Sequence, residues 1–213
     1  MAIKVNGTTV INDSRQLQNV ASVDATTVAA MGAAGVGGSL EFLSETNITS
    51  DVSYIDISFP TGYRGFHLQF NQMFITGTDT NGVYLALYLK DTGGNLINGT
   101  YDYTWREYRL SSFTQMNRQP IGLIYPNWAQ GAKRNVGLSS QVTIMNPRDA
   151  DIQTHFNCGS AGRCTEYNNY QERGYMSMGN LFEASENIGC RVFADSSKAI
   201  SDDSHSYAIW GIK

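Results

Sequence analysis

The sequence predicts an all-β protein, an antiparallel β-sandwich of jelly-roll type, and three observations predict it. The chain of 213 residues carries 21 Gly against 4 Pro, with 12 Tyr and 9 Phe, a balance that favours strands and tight turns. No window of ten residues beyond residue 38 holds a convincing 3.6-residue apolar period. Instead, short stretches of alternating apolar and polar residues recur, separated by Gly, Asn and Asp. Strands of that length at that spacing close best as two packed sheets.

The opening 38 residues stand apart. They contain no aromatic residue, Cys, Pro or His, so all 24 aromatics lie from Phe42 onward. Such a segment cannot bury enough apolar surface to offset its own chain entropy. It carries only four charges (Lys4, Asp13, Arg15 and Asp24), which is not the composition of a disordered tail. Its aliphatics, Ile3, Val5, Val10, Ile11, Leu17, Val20, Val23, Val28 and Met31, are spaced by small residues. That spacing suits packing against copies of itself, with each chain supplying a third of a narrow core, or against a partner surface. Two units follow: residues 1–38 as a docking and trimerisation segment, and residues 39–213 as the sandwich.

Within the segment, Asn6-Gly7 between Ile3-Lys4-Val5 and Thr8-Thr9-Val10-Ile11 predicts a hairpin, since both turn positions need φ > 0. A two-stranded hairpin is marginal alone and needs a partner. Asn12-Asp13-Ser14 reads as a turn. Asp24 is placed to cap a short helix over residues 25–34, ended by Gly35, Gly37 and Gly38, although Thr26, Thr27 and Val28 weaken it. The Gly-Val-Gly-Gly run is the domain boundary.

The sandwich of about 170 residues is long enough to bury roughly 70% of its unfolded surface. Strands are expected at 39–48, 53–59, 65–76, 83–90, 101–110, 121–125, 141–145, 153–157, 175–182, 188–194 and 206–212, with a turn at Gly93-Gly94-Asn95. The last strand should be central or nearly so, with Tyr207, Ile209 and Gly211 on one face and Ala208, Trp210 and Ile212 on the other. The second face, carrying Trp210, is expected to meet a neighbouring subunit. Residues 149–175 read as a loop rich in Cys and Tyr.

Charge and hydropathy exclude several function classes. The net charge is −4 and no basic block occurs, so counterion release on a nucleic acid has nothing to work with. No run is long and apolar enough to span a membrane, and no charged-then-apolar leader is visible, so assembly in a cytoplasm is expected.

Candidate sites are few. Cys158 and Cys164 flank Gly-Ser-Ala-Gly-Arg, a loop that a disulfide could close; Cys190 makes the number odd. Free or buried thiols are the favoured reading, since assembly in a cytoplasm disfavours oxidation, and a zinc site with His155 is a poor fit because the six-residue separation exceeds the usual ligand gap. Tyr101, Tyr103 and Trp105 share one strand face, which the core is expected to take. Tyr125, Trp128, Tyr167, Tyr170 and Tyr175 are expected in loops, as contacts to a neighbouring subunit or a host receptor, because rigid rings give large contact area at low entropic cost. Asp149 with Asp151, and Asp202 with Asp203, lack the spacing of a calcium loop and read as solvated turns. His67, His155 and His205 are far apart, and no catalytic motif occurs, so no enzyme, metal or cofactor is expected.

The stretch Ile3-Lys4-Val5-Asn6-Gly7-Thr8-Thr9-Val10-Ile11-Asn12-Asp13, continued by Arg15, Leu17-Gln18-Asn19-Val20-Ala21-Ser22-Val23 and Asp24-Ala25-Thr26-Thr27, resembles the N-terminal segment of tail-fibre-like and other virion proteins of tailed bacteriophages, cyanophages in particular. The remainder resembles the β-sandwich module of those proteins through Leu40-Glu41-Phe42-Leu43, Tyr63-Arg64-Gly65-Phe66, Thr143-Ile144-Met145-Asn146-Pro147 and the closing Ser206-Tyr207-Ala208-Ile209-Trp210-Gly211-Ile212-Lys213. The resemblance implies a homotrimeric, non-enzymatic virion appendage with other virion proteins as partners. Alternatives are a module recognising a host-surface glycan or protein, and a capsid decoration protein.

Overall fold

Alternation of side chains across the pleat turns most of the chain beyond residue 39 into strands. The computed structural model describes residues 3–5, 8–11, 26–27, 40–76, 85–97, 101–109, 112–121, 124–127, 138–166, 169–181, 184–194 and 198–213. The chain divides into two units, Met1–Ser39 and Leu40–Lys213.

In the first unit, β1 (Ile3–Val5) pairs antiparallel with β2 (Thr8–Ile11). This is the hairpin that Asn6-Gly7 predicts; Ile3, Val5, Val10 and Ile11 lie on its strands. Thr26 and Thr27 are helical. The rest of the expected helix, and Leu17, Val20, Val23, Val28 and Met31, lie outside the described residues.

The second unit holds β3 (Leu40–Asn47), β4 (Tyr54–Ser58), β5 (Gly65–Met73), β6 (Leu85–Lys90), β7 (Tyr101–Arg109), β8 (Ser112–Ile121) and β9 (Ile124–Asn127). After these come β10 (Leu138–Met145), β11 (His155–Glu166), β12 (Asn169–Leu181), β13 (Gly189–Ala194) and β14 (Ser206–Ile212). They form an eight-stranded sheet, in the order β3-β14-β5-β10-β11-β12-β7-β8, and a four-stranded sheet, β4-β13-β6-β9. All the pairings are antiparallel.

The strand order contains a jelly roll. β3 lies beside β14, β4 beside β13, β5 beside β10 and β6 beside β9, so one long antiparallel ribbon folds over itself and alternates between the two sheets. Two hairpins, β7-β8 and β11-β12, are inserted into this ribbon. Both join the large sheet beyond β10 and extend it from four strands to eight.

The core lies between the sheets. Phe66, Leu68 and Phe70 of β5 and Val142 and Ile144 of β10 are fully buried, as are Leu87 and Leu89 of β6 and Val192 of β13. Each such side chain contributes about 1.5–3 kcal/mol on leaving water. Phe59 stacks on Phe66 at 4.5 Å between ring centroids. Tyr101 is buried as expected; its hydroxyl donates to the Ile97 carbonyl at 3.1 Å and accepts from the Leu89 amide at 3.3 Å. The side chains of Tyr103 and Trp105 are outside the description.

Three expectations need correction. Residues 149–175 are not a long loop: a turn at 146–152 leads into β11, which pairs along its length with β12. Glycines and polar residues hide that hairpin by removing the apolar half of the alternation. β8 was not expected, because its sequence is mostly polar and includes Pro120. Among the described strands it is outermost in its sheet and pairs with β7 alone, and a proline is tolerated at such an edge. The strand expected at 121–125 is split between the end of β8 and the start of β9.

Candidate functional site

Strand register fixes which side chains share the outer face of the large sheet. One row across seven strands runs Phe42, Trp210, His67, Thr143, Asn157, Met178, Thr104. The next runs Glu45, Ala208, Gln69, Gln141, Gly159, Met176, Arg106, and a third brings Ser139, Ala161 and Gly174 together. Gly159, Ala161 and Gly174 put almost no side chain on the middle of the face, where there is a depression.

That depression is a trough of about 660 Å³. His67, Thr143 and Asn157 form one wall; Gln69, Gln141 and Met176 stand within it, and Ser139, Gly159, Ala161 and Gly174 make its floor. His67 places Nδ1 3.0 Å from Thr143 Oγ1, and its burial pushes its pKa below the ordinary imidazole value. Gln69 donates through Nε2 to Asn71 Oδ1 at 2.8 Å. Asn71 in turn donates to Ser206 Oγ, and Ser206 donates to Glu45. This chain orients the Gln69 amide from outside the trough. A smaller depression of about 410 Å³, between Asp102, Thr104, His155, Met178 and Asn180, continues the same face.

An apolar corner lies at the β3 end. Leu40 is 50% exposed and Phe42 57%, although both sit on an ordered strand. Trp210 is half-buried, packed edge-on against Phe42 at 5.8 Å and tilted against His67 at 5.7 Å. The faces of β14 divide as its sequence predicts. Ile209 enters the core, Tyr207 packs against it and Gly211 abuts the Tyr63 ring. Trp210 and Ile212 look outward.

On the small sheet, Asp56 receives a two-pronged hydrogen bond from Arg191, at 2.7 Å to each oxygen, and an ion pair from Lys90 at 2.8 Å. The Arg191 guanidinium, with Lys90 assisting, holds the Asp56 carboxyl down to about 2 despite partial burial. Arg191 also lies 3.7 Å over the Tyr54 ring. Each charge there has a structural partner, so the cluster ties β4, β13 and β6 together.

Of the two readings of the cysteines, the free, buried thiol holds at Cys158 and Cys190, and the Cys158–Cys164 disulfide does not form. Cys158 is a free, buried thiol, and Cys164 lies six residues along the same strand. Extended chain separates them by about 20 Å, whereas a disulfide needs Cα atoms about 4.4–6.8 Å apart. Burial pushes the Cys158 thiol up to about 12 and raises Cys190 as well. Tyr175 is not a loop residue: it is buried on β12, because the inner face of that strand enters the core. Tyr170 lies on β12 and Tyr125 on β9, both on strands rather than loops; their side chains are outside the description. Trp128 and Tyr167 are outside the described residues.

Asp149 Oδ1 accepts from the amides of Asp151 and Ile152, a local turn. Among the described residues no group of three or more His, Cys, Asp or Glu side chains could hold a metal ion, and no helix is long and apolar enough to cross a membrane. The trough was missed in the sequence because its lining comes from four strands far apart in the chain. The signal for it in the sequence is Gly-Ser-Ala-Gly at 159–162, which by itself reads as a loop.

Comparison with protein-family models, with curated proteins and with solved structures finds no match.

Proposed function

We propose that this is a non-enzymatic structural protein of a bacteriophage virion, a homotrimeric appendage such as a tail fibre. It docks to other virion proteins through residues 1–38 and displays jelly-roll heads. The observation that carries this reading is the apolar corner of Leu40, Phe42, Trp210 and Ile212, with two side chains at least half exposed. It lies on the first strand of the head, at the point where the chain leaves Met1–Ser39. β3 is also an edge of the large sheet, and an uncovered apolar edge invites uncontrolled pairing. Closure about a threefold axis covers three such corners at once. The short β1-β2 hairpin, marginal by itself, gains its missing partner in the same assembly. The resemblance of the opening segment to phage virion proteins supports the same reading.

The test has two arms. Light scattering on the full chain should give three times the mass of one chain, and Phe42→Asp should reduce it. A chain lacking residues 2–36 should remain folded yet fail to enter particles. A full-length monomer, or normal incorporation of the truncated chain, refutes the reading.

A further inference from the structure

We propose that the trough on the outer face of the large sheet is a binding site for an uncharged oligosaccharide. The inference stands apart from the virion reading, since it concerns the head alone and holds whatever the head is attached to.

The chemistry of the lining selects the ligand. Among the described residues lining the trough there is no Lys, Arg, Asp or Glu. What the trough offers is amides (Gln69, Gln141 and Asn157), hydroxyls (Ser139 and Thr143) and an imidazole, all uncharged donors and acceptors. Neither Gln141 nor Asn157 makes a side-chain hydrogen bond to another described residue, although both lie on inner strands of a rigid sheet. Paired donors and acceptors of this kind match vicinal hydroxyls, and Met176 and Ala161 supply apolar contact for the C–H faces of a sugar ring. Arg106 stands beside Met176 on the same face but is not among the described lining residues, so a charged ligand is the outcome that the acidic arm of the experiment below tests. An extended peptide would find no free edge, because β5, β10, β11 and β12 are each paired on both sides. The volume falls within the usual range of small-molecule sites, about 300–1,000 Å³.

Gly159 is the second, independent observation. In Gly65, Gly179, Gly189 and Gly211 a Cβ would collide with backbone, with Met145 or Phe156, or with the Tyr63 ring, so packing accounts for those glycines. At Gly159 a Cβ would meet only the Gln141 side chain, no nearer than 3.4 Å. Its backbone is not in the left-handed region. Glycine inside a strand weakens it, and where the fold does not demand one it marks the close approach of a ligand. Beside the trough, β5 bulges opposite Ser139, and Gln72 takes φ +46°, with its amide donating to Ser139 Oγ at 3.3 Å. Such strain in a non-glycine residue gathers at binding sites.

The experiment uses the labelled full-length protein on an array of neutral oligosaccharides (hexose and N-acetylhexosamine chains) and acidic ones (sialylated, uronic and sulfated). Neutral chains should be retained. Gly159→Val, which fills the floor, and Gln141→Ala, which removes an amide, should each weaken retention about tenfold or more, equivalent to about 1.4 kcal/mol. Both variants should melt within a few degrees of the parent, so lost binding is not lost fold; if one does not fold, the other decides. A blank array, retention of acidic chains alone, or undiminished retention by the folded variants overturns the proposal. So does a changed oligomeric mass in either variant, which would give the trough to a second copy of this chain. Lost or absent binding with an unchanged mass leaves the trimer and docking results untouched, and the reverse is equally true.

Discussion

Replacing Asp56 by asparagine isolates the charge cluster that joins three strands of the small sheet. The carboxylate meets Arg191 through two hydrogen bonds of 2.7 Å and Lys90 at 2.8 Å, and its pKa falls from 3.8 to about 2. A shift of that size corresponds to at most about 2.4 kcal/mol at about 1.36 kcal/mol per unit. The Asp56 side chain is 39% exposed, so solvent screening reduces the net value to about 1 kcal/mol. The folded pKa is the depressed one. The stabilisation is therefore complete above the unfolded value of 3.8 and is lost as pH falls through about 2. Urea denaturation monitored by tryptophan fluorescence at pH 7 and pH 2 measures it. At pH 7 Asp56→Asn should be about 1 kcal/mol less stable than the parent, and at pH 2 most of that gap should have closed. An equal deficit at both pH values would show that packing or geometry matters and the charge does not. No deficit at pH 7 would show that the pair merely balances its desolvation.

Three further outcomes follow from the packing. Phe66→Ala removes a fully buried ring stacked on Phe59 and should cost about 3–5 kcal/mol, read as a lower urea midpoint with an unchanged slope. Trp210→Ala removes a half-buried ring in contact with Phe42 and His67, so it should cost less than a core aromatic in the isolated head and act mainly by lowering the assembled mass; a loss as large as that of Phe66→Ala would place Trp210 in the core. In the native protein a thiol reagent should find at most one of the three cysteines, because Cys158 and Cys190 are buried with raised thiol pKa values, and all three after denaturation without reductant; one thiol after denaturation would restore the Cys158–Cys164 bridge.

What the sequence determined by itself follows from local physics. Strand existence came through wherever alternation was strong, as in 53–59, 65–76 and 206–212, because a period of two assigns each residue to one face of a sheet. Asn6-Gly7 announced its hairpin because few dipeptides tolerate φ > 0 at both turn positions. The faces of β14 were legible for the same reason, down to Ile209 inside and Trp210 outside. What only the tertiary structure decided depended on distant partners. Pairing β3 with β14 joins the two ends of the head, and no local signal encodes that choice. The hairpin of β11 and β12 was hidden because between Phe156 and Tyr175 its inner face carries Cys158, Ser160 and Ser177, which are small or polar, and only their neighbours across the sheet make them a core face. The trough is the extreme case. His67, Gln141, Gly159 and Met176 come from four strands, and each is unremarkable where it stands in the chain. They become a site because register brings them side by side, and because Gly159 leaves out a side chain for which the fold has room.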